Sequence, residues 1–295
     1  MLNITDIRER LKKDPIPSEV TEIRNKIKTT FSNLQFIEDG HKYYLHRPDG
    51  TKKEMTSVTT ACHKFFEPPV DWEEKLELKS LKLGIDKEKL RREWKENNIT
   101  STSNGSLTHL FAEGYMYFFM GEIENIPEVI RKMQYEDGYL IPYGNKQKAV
   151  AKYYEDMFYT KGLYPVMPEA QIYIDSENNP YGIKEDISGT FDALFAFQDK
   201  NKNWKLSIRD WKTNKSLENN YCQQNQITLL EPFNSLEFIN EPKSTYTIQL
   251  SLYQLGLQPL GYEIVDRKLL WLTENAEYYK IDVQDVTDKL INFLS

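Results

Sequence analysis

The 295-residue chain is long enough to bury a substantial core, and 39% hydrophobic with 28% charged residues excludes a disordered or fibrous protein. A formal net charge of -7 excludes a surface coated in basic residues, so any nucleic-acid groove must rest on local Lys and Arg patches. Two cysteines far apart, Cys62 and Cys222, exclude an all-cysteine zinc site and an iron–sulfur cluster. No apolar run approaches the roughly 18 residues of a membrane span, and the N-terminus is polar and amphipathic rather than a signal peptide. A soluble, cytoplasmic protein with reduced thiols and no membrane partner is expected.

In chain order, residues from about 4 to 30 read as short helices broken at Pro15-Ile16-Pro17. Leu34 to Glu38 and His41 to Leu45 alternate like strands around Asp39-Gly40, a hairpin signal. A turn at Arg47-Pro48-Asp49-Gly50 leads to a strand ending near Met55, and Thr56 or Ser57 caps a helix from Val58 to Phe66. Asp71 to Asn98 is helical and heavily charged. Its bland reading is a solvated face; its functional reading sets Lys89, Arg91, Arg92 and Lys95 along a phosphate backbone. Ser101 to Gly105 is a cluster of helix breakers, so a new helix is expected from about Ser106 to Met120, closed by Gly121. A loop with a helical piece follows, then a helix from about Lys146 to Thr160 with Gly162 as its C-cap.

The pattern then changes to strands: Tyr164 to Ile174, Ile187 to Phe197 and Trp204 to Trp211, parted by turn-rich segments. A polar loop of roughly thirty residues after Thr213 is long enough to contact a substrate. A helix from about Ser244 to Leu257, strands at Lys268 to Thr273 and Tyr278 to Val283, and a short terminal helix finish the chain.

Asp210 and Lys212 are two apart on one strand, so both side chains point to the same face. Asp192 lies 18 positions earlier on the preceding strand, a spacing suited to a hairpin that sets the two strands side by side. The competing reading is an ordinary ion pair at strand ends. Phosphodiester hydrolysis wants these residue types: the phosphate repels hydroxide, and divalent ions neutralise its charge and activate water. Mg²⁺ prefers hard oxygen ligands, and Asp192, Asp210 and the backbone carbonyl of Trp211 supply such a set. Lys212 would orient or deprotonate the water, or steady the phosphate charge. Arg209 alternates to the opposite face, and Lys215 is a loop lysine. His41, His46 and His63 lack ligand spacing and are taken as structural or surface residues.

Four segments in order resemble the RecB-like and lambda-exonuclease-like branch of the PD-(D/E)xK nucleases. They are Gly105-Ser-Leu-Thr-His109-Leu-Phe-Ala-Glu113 (GxxxHxxxE), Gly189-Thr-Phe-Asp192 (GxxD), Asp210-Trp-Lys212 ((D/E)xK) and Gln249-Leu-Ser-Leu-Tyr253 (QxxxY). Tyr43 to Leu45 through Thr56 to Thr59 is similar to the opening of such domains, and the resemblance spans about residues 41 to 283. It implies that His109 is a metal ligand with Glu113 near the same site, and that Glu169 is a further carboxylate close to the metals or to a supporting helix. It also implies that Gln249 and Tyr253 stand against the active-site lysine or a DNA phosphate. The structural alternatives are a packing histidine with a solvated Glu113, a core helix with a polar rim, and a plain strand carboxylate.

The resemblance implies an α/β (α+β) fold with a restriction-endonuclease-like core, a central mixed sheet flanked by helices, and an N-terminal helical and hairpin extension. Residues 1–33 would be the helical extension and 34–295 the nuclease domain, with a helical insertion at 71–100 that contacts DNA. The implied activity is a Mg²⁺- or Mn²⁺-dependent deoxyribonuclease, an exonuclease leaving 5′-phosphate and 3′-hydroxyl ends in recombination, repair or phage DNA processing. Its partners would be a duplex end or a single strand, and a second copy or a recombination protein. The four cysteines of the iron–sulfur members are missing, and without a GxxxxGK[ST] motif any ATPase would sit on another chain. The alternatives are a catalytically inactive nucleic-acid-binding or structural protein with the same fold, and an enzyme acting on another phosphate ester.

Overall fold

Asn3 opens the chain's first helix by accepting from the Thr5 N–H while Asp6 reaches back to the Asn3 N–H, a capping box for α1 (Ile4–Lys13). The computed structural model describes residues 1–66 and 71–295. Pro15 and Pro17 separate α1 from α2 (Ser18–Thr30), as their missing N–H groups require. Strands β1 (Leu34–Ile37), β2 (Lys42–His46) and β3 (Lys52–Ser57) form an antiparallel meander, and Ser57 caps α3 (Val58–Cys62) through the Thr60 N–H. The helix expected to reach Phe66 stops at Cys62 and tightens into a 3₁₀ turn at His63–Phe65.

The next segment corrects the sequence expectation. After α4 (Trp72–Leu83) and a left-handed Gly84, a single 33-residue helix α5 runs from Lys87 to Phe119, straight through Ser101 to Gly105. Breaker composition is a weak prior, and here the helix continues through it although Ser101 to Asn104 are exposed. The Thr108 hydroxyl bonds back to the Asn104 carbonyl, and a Cβ on Gly105 would meet Thr213 Oγ1 at 3.3 Å, so the glycine serves close packing rather than a turn.

Residues 122–142 hold a 3₁₀ turn, α6 (Glu128–Gln134) and a small hairpin of β4 (Tyr135–Glu136) with β5 (Tyr139–Leu140). Helix α7 (Asn145–Phe158) ends on Tyr159, so Gly162 is not its cap; at φ +79° it turns the chain into β6 (Leu163–Ile174). Then come β7 (Ile187–Gln198), β8 (Trp204–Lys212), a short α8 (Asn220–Gln224) within the long polar loop, and α9 (Pro242–Leu257). Strand β9 (Glu263–Leu272) begins five residues before the expected Lys268, because its charged first half pairs in parallel with β8. β10 (Tyr278–Asp282) and α10 (Thr287–Leu294) complete the chain.

The central sheet is mixed, in the order β1-β2-β3-β7-β8-β9-β10, with β6 paired to the other edge of β7. Pairs β3/β7 and β8/β9 are parallel, and α9 makes the crossover that the second of these needs. Helices cover both faces. One core joins Val20, Ile23 and Ile27 of α2 and the buried side of α9 to Leu206 and Ile208; the other joins Ile4 and Ile7, Phe111 and Tyr115 of α5, and α7 to Trp211 and Leu270. Each such side chain contributes about 2 kcal/mol when fully buried, so both N-terminal helices are tied into the cores. Cys62 and Cys222 are buried and free, and burial pushes the Cys62 thiol up to about 12. Among the described residues no helix is long and apolar enough to cross a membrane.

Candidate active site

One edge of β7 is divided between two neighbours. β8 pairs with Ala193 to Gln198 and β3 with Ile187 and Ser188, leaving a fork at Gly189 to Asp192. The register Ala193↔Arg209, continued by one step, sets Asp210 across from Asp192. On the other edge of β7, the pairs Pro168↔Ala193 and Ala170↔Phe191 bracket Glu169 opposite Asp192. Glu169, Asp192 and Asp210 therefore form a cross-strand row over β6, β7 and β8. At this fork, where β3 and β8 part, helices from both layers reach the row: α5 with His109 and Glu113, α9 with Gln249 and Tyr253. All these side chains, with Lys212, line one cavity of 470 Å³.

Asp192 accepts from the Trp211 N–H at 2.6 Å and stands 3.1 Å from His109 Nδ1. A strand residue presents its N–H and C=O to the same edge, so the Trp211 carbonyl faces this gap as well. Lys212 forms an ion pair with Asp210, lies 3.4 Å from Gln249 Oε1, and has its ammonium 3.9 Å from the centre of the Tyr246 ring. Gln249 in turn donates to the Tyr253 hydroxyl at 3.0 Å. Tyr246, Gln249 and Tyr253 share a helix face by their spacing; Tyr246 was legible by that spacing and was missed.

The charges are unequal. Burial works to raise the Asp192 carboxyl, but His109, Lys212 and the Trp211 N–H outweigh it and hold it below the ordinary range. Burial and the Asp192 charge push Asp210 up to about 6 despite Lys212. Burial alone takes Glu113 up to about 7, and burial plus the charges of Asp192, Glu113 and Asp210 raises Glu169 well above the usual value. Burial would lower Lys212, yet Asp210 and Asp192 keep it raised and protonated; the same balance, led by Asp192, raises His109. Glu169 also carries an inverted backbone, with φ +45° in mid-strand between Pro168 and Ala170, a region that costs a non-glycine residue energy and clusters at functional sites.

This donor set suits a hard divalent cation. Four carboxyls crowd one cavity against two cationic side chains, and Asp210 Oδ2 is buried with the Lys212 charge beside it but no aligned hydrogen-bond donor. Oxygen donors joined by one imidazole can hold Mg²⁺ or Mn²⁺. Among the described residues no three His, Cys, Asp or Glu side chains already stand as a ready ligand group; His109 lies against Asp192, and Lys212 pairs with Asp210.

Three further placements bear on the sequence expectations. Arg209 is buried between the rings of Tyr153 and Phe195, away from the acids, with burial lowering its pKa to about 10. Lys215 is exposed, and it is Asn214 that meets Tyr246 and Trp271. In the charged helical insertion Arg91 pairs with Glu73 and Glu88, while Lys89, Arg92 and Lys95 are exposed. His41 is exposed, as a surface histidine would be, and it also lines the cavity together with Phe36, Tyr43, Gln171 and Thr190. No spacing signal linked that hairpin to the acids. A larger cleft of 1170 Å³ lies between α1 and the end of α7; it shares no residue with the acid row and carries mixed charges.

No protein-family model matches the chain, and no curated protein matches it.

Proposed function

We propose that the protein is a divalent-metal-dependent deoxyribonuclease with a restriction-endonuclease-like core of the PD-(D/E)xK kind. The observation that carries this reading is the Glu169–Asp192–Asp210 row meeting Lys212 and His109 in one cavity at the fork in the sheet. The antiparallel β6–β7–β8 meander followed by α9 and a parallel β9 supports the finer fold assignment. Exonuclease action, 5′-phosphate and 3′-hydroxyl products, and a place in recombination, repair or phage DNA processing rest on the motif resemblance.

Asp192, Asp210, His109 and the Trp211 carbonyl would hold the ion, with Glu113 and Glu169 as further donors. A bound Mg²⁺ or Mn²⁺ supplies charge neutralisation at the phosphate and a water more easily deprotonated. Lys212, protonated through its two aspartates, offers its charge to a phosphate oxygen as negative charge grows there. Gln249 fixes the ammonium's direction, and Tyr253 fixes the amide of Gln249. Glu113, with a pKa of about 7, can take a proton or return one near neutrality.

The test is cleavage of linear duplex, single-stranded and covalently closed circular DNA, and of a small phosphodiester, with Mg²⁺, with Mn²⁺ and with EDTA. DNA cleavage that EDTA stops and Asp210→Ala abolishes is the expected result. Equal background in wild type and Asp210→Ala overturns the proposal in favour of a binding protein. Turnover of the small ester alone points to another phosphodiesterase.

A further inference from the structure

The β1–β2 hairpin has no catalytic role in the scheme above, yet its tip lines the acid cavity. We propose that Phe36 and His41, backed by Tyr43, form a stacking platform for the nucleobase next to the phosphodiester being cut; the proposal rests on the nuclease reading. The Phe36 and His41 rings stand edge to face at 4.9 Å, and Tyr43 lies 4.8 Å from Phe36. Tyr43 is buried and anchors the group, its hydroxyl 3.2 Å from Thr190 Oγ1, two residues before Asp192 on β7. Phe36 is only partly covered and His41 is exposed, so aromatic surface remains free on the cavity side.

Two features mark the tip as more than a turn. His41 has φ +50° directly after Gly40 at φ +78°, a left-handed pair that most side chains avoid and that sets an imidazole at the hairpin tip. The His41 ring makes no side-chain hydrogen bond among the described residues; its contacts are the two neighbouring rings. The cavity charge points the same way. Lys212 and His109 are its partly buried cations against four carboxyls, so side-chain attraction for phosphate alone holds a strand weakly. Aromatic stacking is the sequence-tolerant contact that remains. A base can reach this platform only when unpaired, which makes the substrate a single strand or a frayed end rather than the interior of a duplex.

The experiment uses a short single-stranded oligonucleotide carrying 2-aminopurine at its terminal nucleotides, and a matched one that is abasic there. Binding is read by fluorescence quenching in Ca²⁺, and cleavage is measured separately in Mg²⁺. His41→Asn keeps the left-handed turn without the imidazole, and Phe36→Leu keeps bulk at the half-buried position. Wild type is expected to quench the probe. Each variant should quench less and raise KM about tenfold with kcat within about twofold, and that gap should vanish on the abasic strand. Quenching and KM equal to wild type in both variants, or an equal loss on the abasic strand, overturns the platform while leaving cleavage and the nuclease reading in place. Quenching that the variants lose, with no cleavage by wild type in Mg²⁺, overturns the nuclease reading alone. Absence of both signals overturns both.

Discussion

Gly189 and Tyr253 stand too close for any side chain between them: a Cβ built on Gly189 would lie 2.8 Å from Tyr253 Cε1 and 3.0 Å from Val58 Cγ2. The glycine of the GxxD segment thus lets α9 and α3 close over the fork in the sheet, three residues from Asp192. Replacing it with alanine should cost about 1–3 kcal/mol, read by urea unfolding, because Val58 is buried and cannot retreat. The push on Tyr253 should pass to Gln249 and lower turnover too. A Gly189→Ala protein with wild-type stability and activity would show that this contact is slack.

Glu169 gives a test of stored strain. With φ +45°, the position favours glycine over any L residue with a side chain. Glu169→Gly is expected to be more stable than Glu169→Ala by about 1 kcal/mol in denaturant unfolding, since both lose the carboxyl and only one keeps the strain. Both should cleave DNA more slowly than wild type. Equal stability of the two variants would mean that β6 relaxes.

The salt-bridged corner behind the hairpin sets a pH dependence. Burial acts to raise Asp175, but the Asn178 amide at 2.8 Å, the Glu177 N–H, and Lys53 and Arg47 outweigh it and hold it below the ordinary carboxylate range. A depressed folded value contributes stability above the unfolded pKa of about 3.9, and that contribution is lost as pH falls through the folded value. Asp175→Asn should therefore cost about 1–3 kcal/mol at neutral pH, and the gap to wild type should shrink below about pH 4. A gap that stays constant with pH would assign the cost to packing.

Ion binding should be visible without catalysis. Mg²⁺, Mn²⁺ or Ca²⁺ at a hundred times its Kd should stabilise the fold by about 2.7 kcal/mol in thermal shift, and Asp192→Asn should lose most of that gain. Binding must displace protons from His109, whose pKa is raised by Asp192, and from Glu113 and Asp210, so affinity should fall as pH drops through about 7 and about 6. No shift with any of the three ions would remove the metal from the site. Ca²⁺ should bind and support little cleavage.

Much of this site was legible because strand and helix periods are rigid. Two-residue alternation put Asp210 and Lys212 on one face, and four-residue spacing aligned His109 with Glu113 and Gln249 with Tyr253. What stayed hidden depended on distant partners. Helix α5 runs through the mostly exposed Ser101 to Gly105 against its composition, and the close approach of Gly105 to Thr213, more than a hundred residues away, has no local signal. The early start of β9 depends on a parallel neighbour, since Glu263 to Lys268 is four charged residues around a short Ile264-Val265 pair. The left-handed Glu169 and the reach of His41 into the cavity have no local signature, because both arise where β6 and the hairpin are held against β7.

The most direct measurement is DNA hydrolysis by Lys212→Ala beside wild type, with divalent-ion binding followed on the same samples. Removing the ammonium frees Asp210 of its ion pair and takes away the charge aimed at the phosphate. Turnover at least about a hundredfold below wild type with ion affinity intact is the predicted result. Near-wild-type turnover, or ion binding lost along with the rate, would contradict the role given to this cluster.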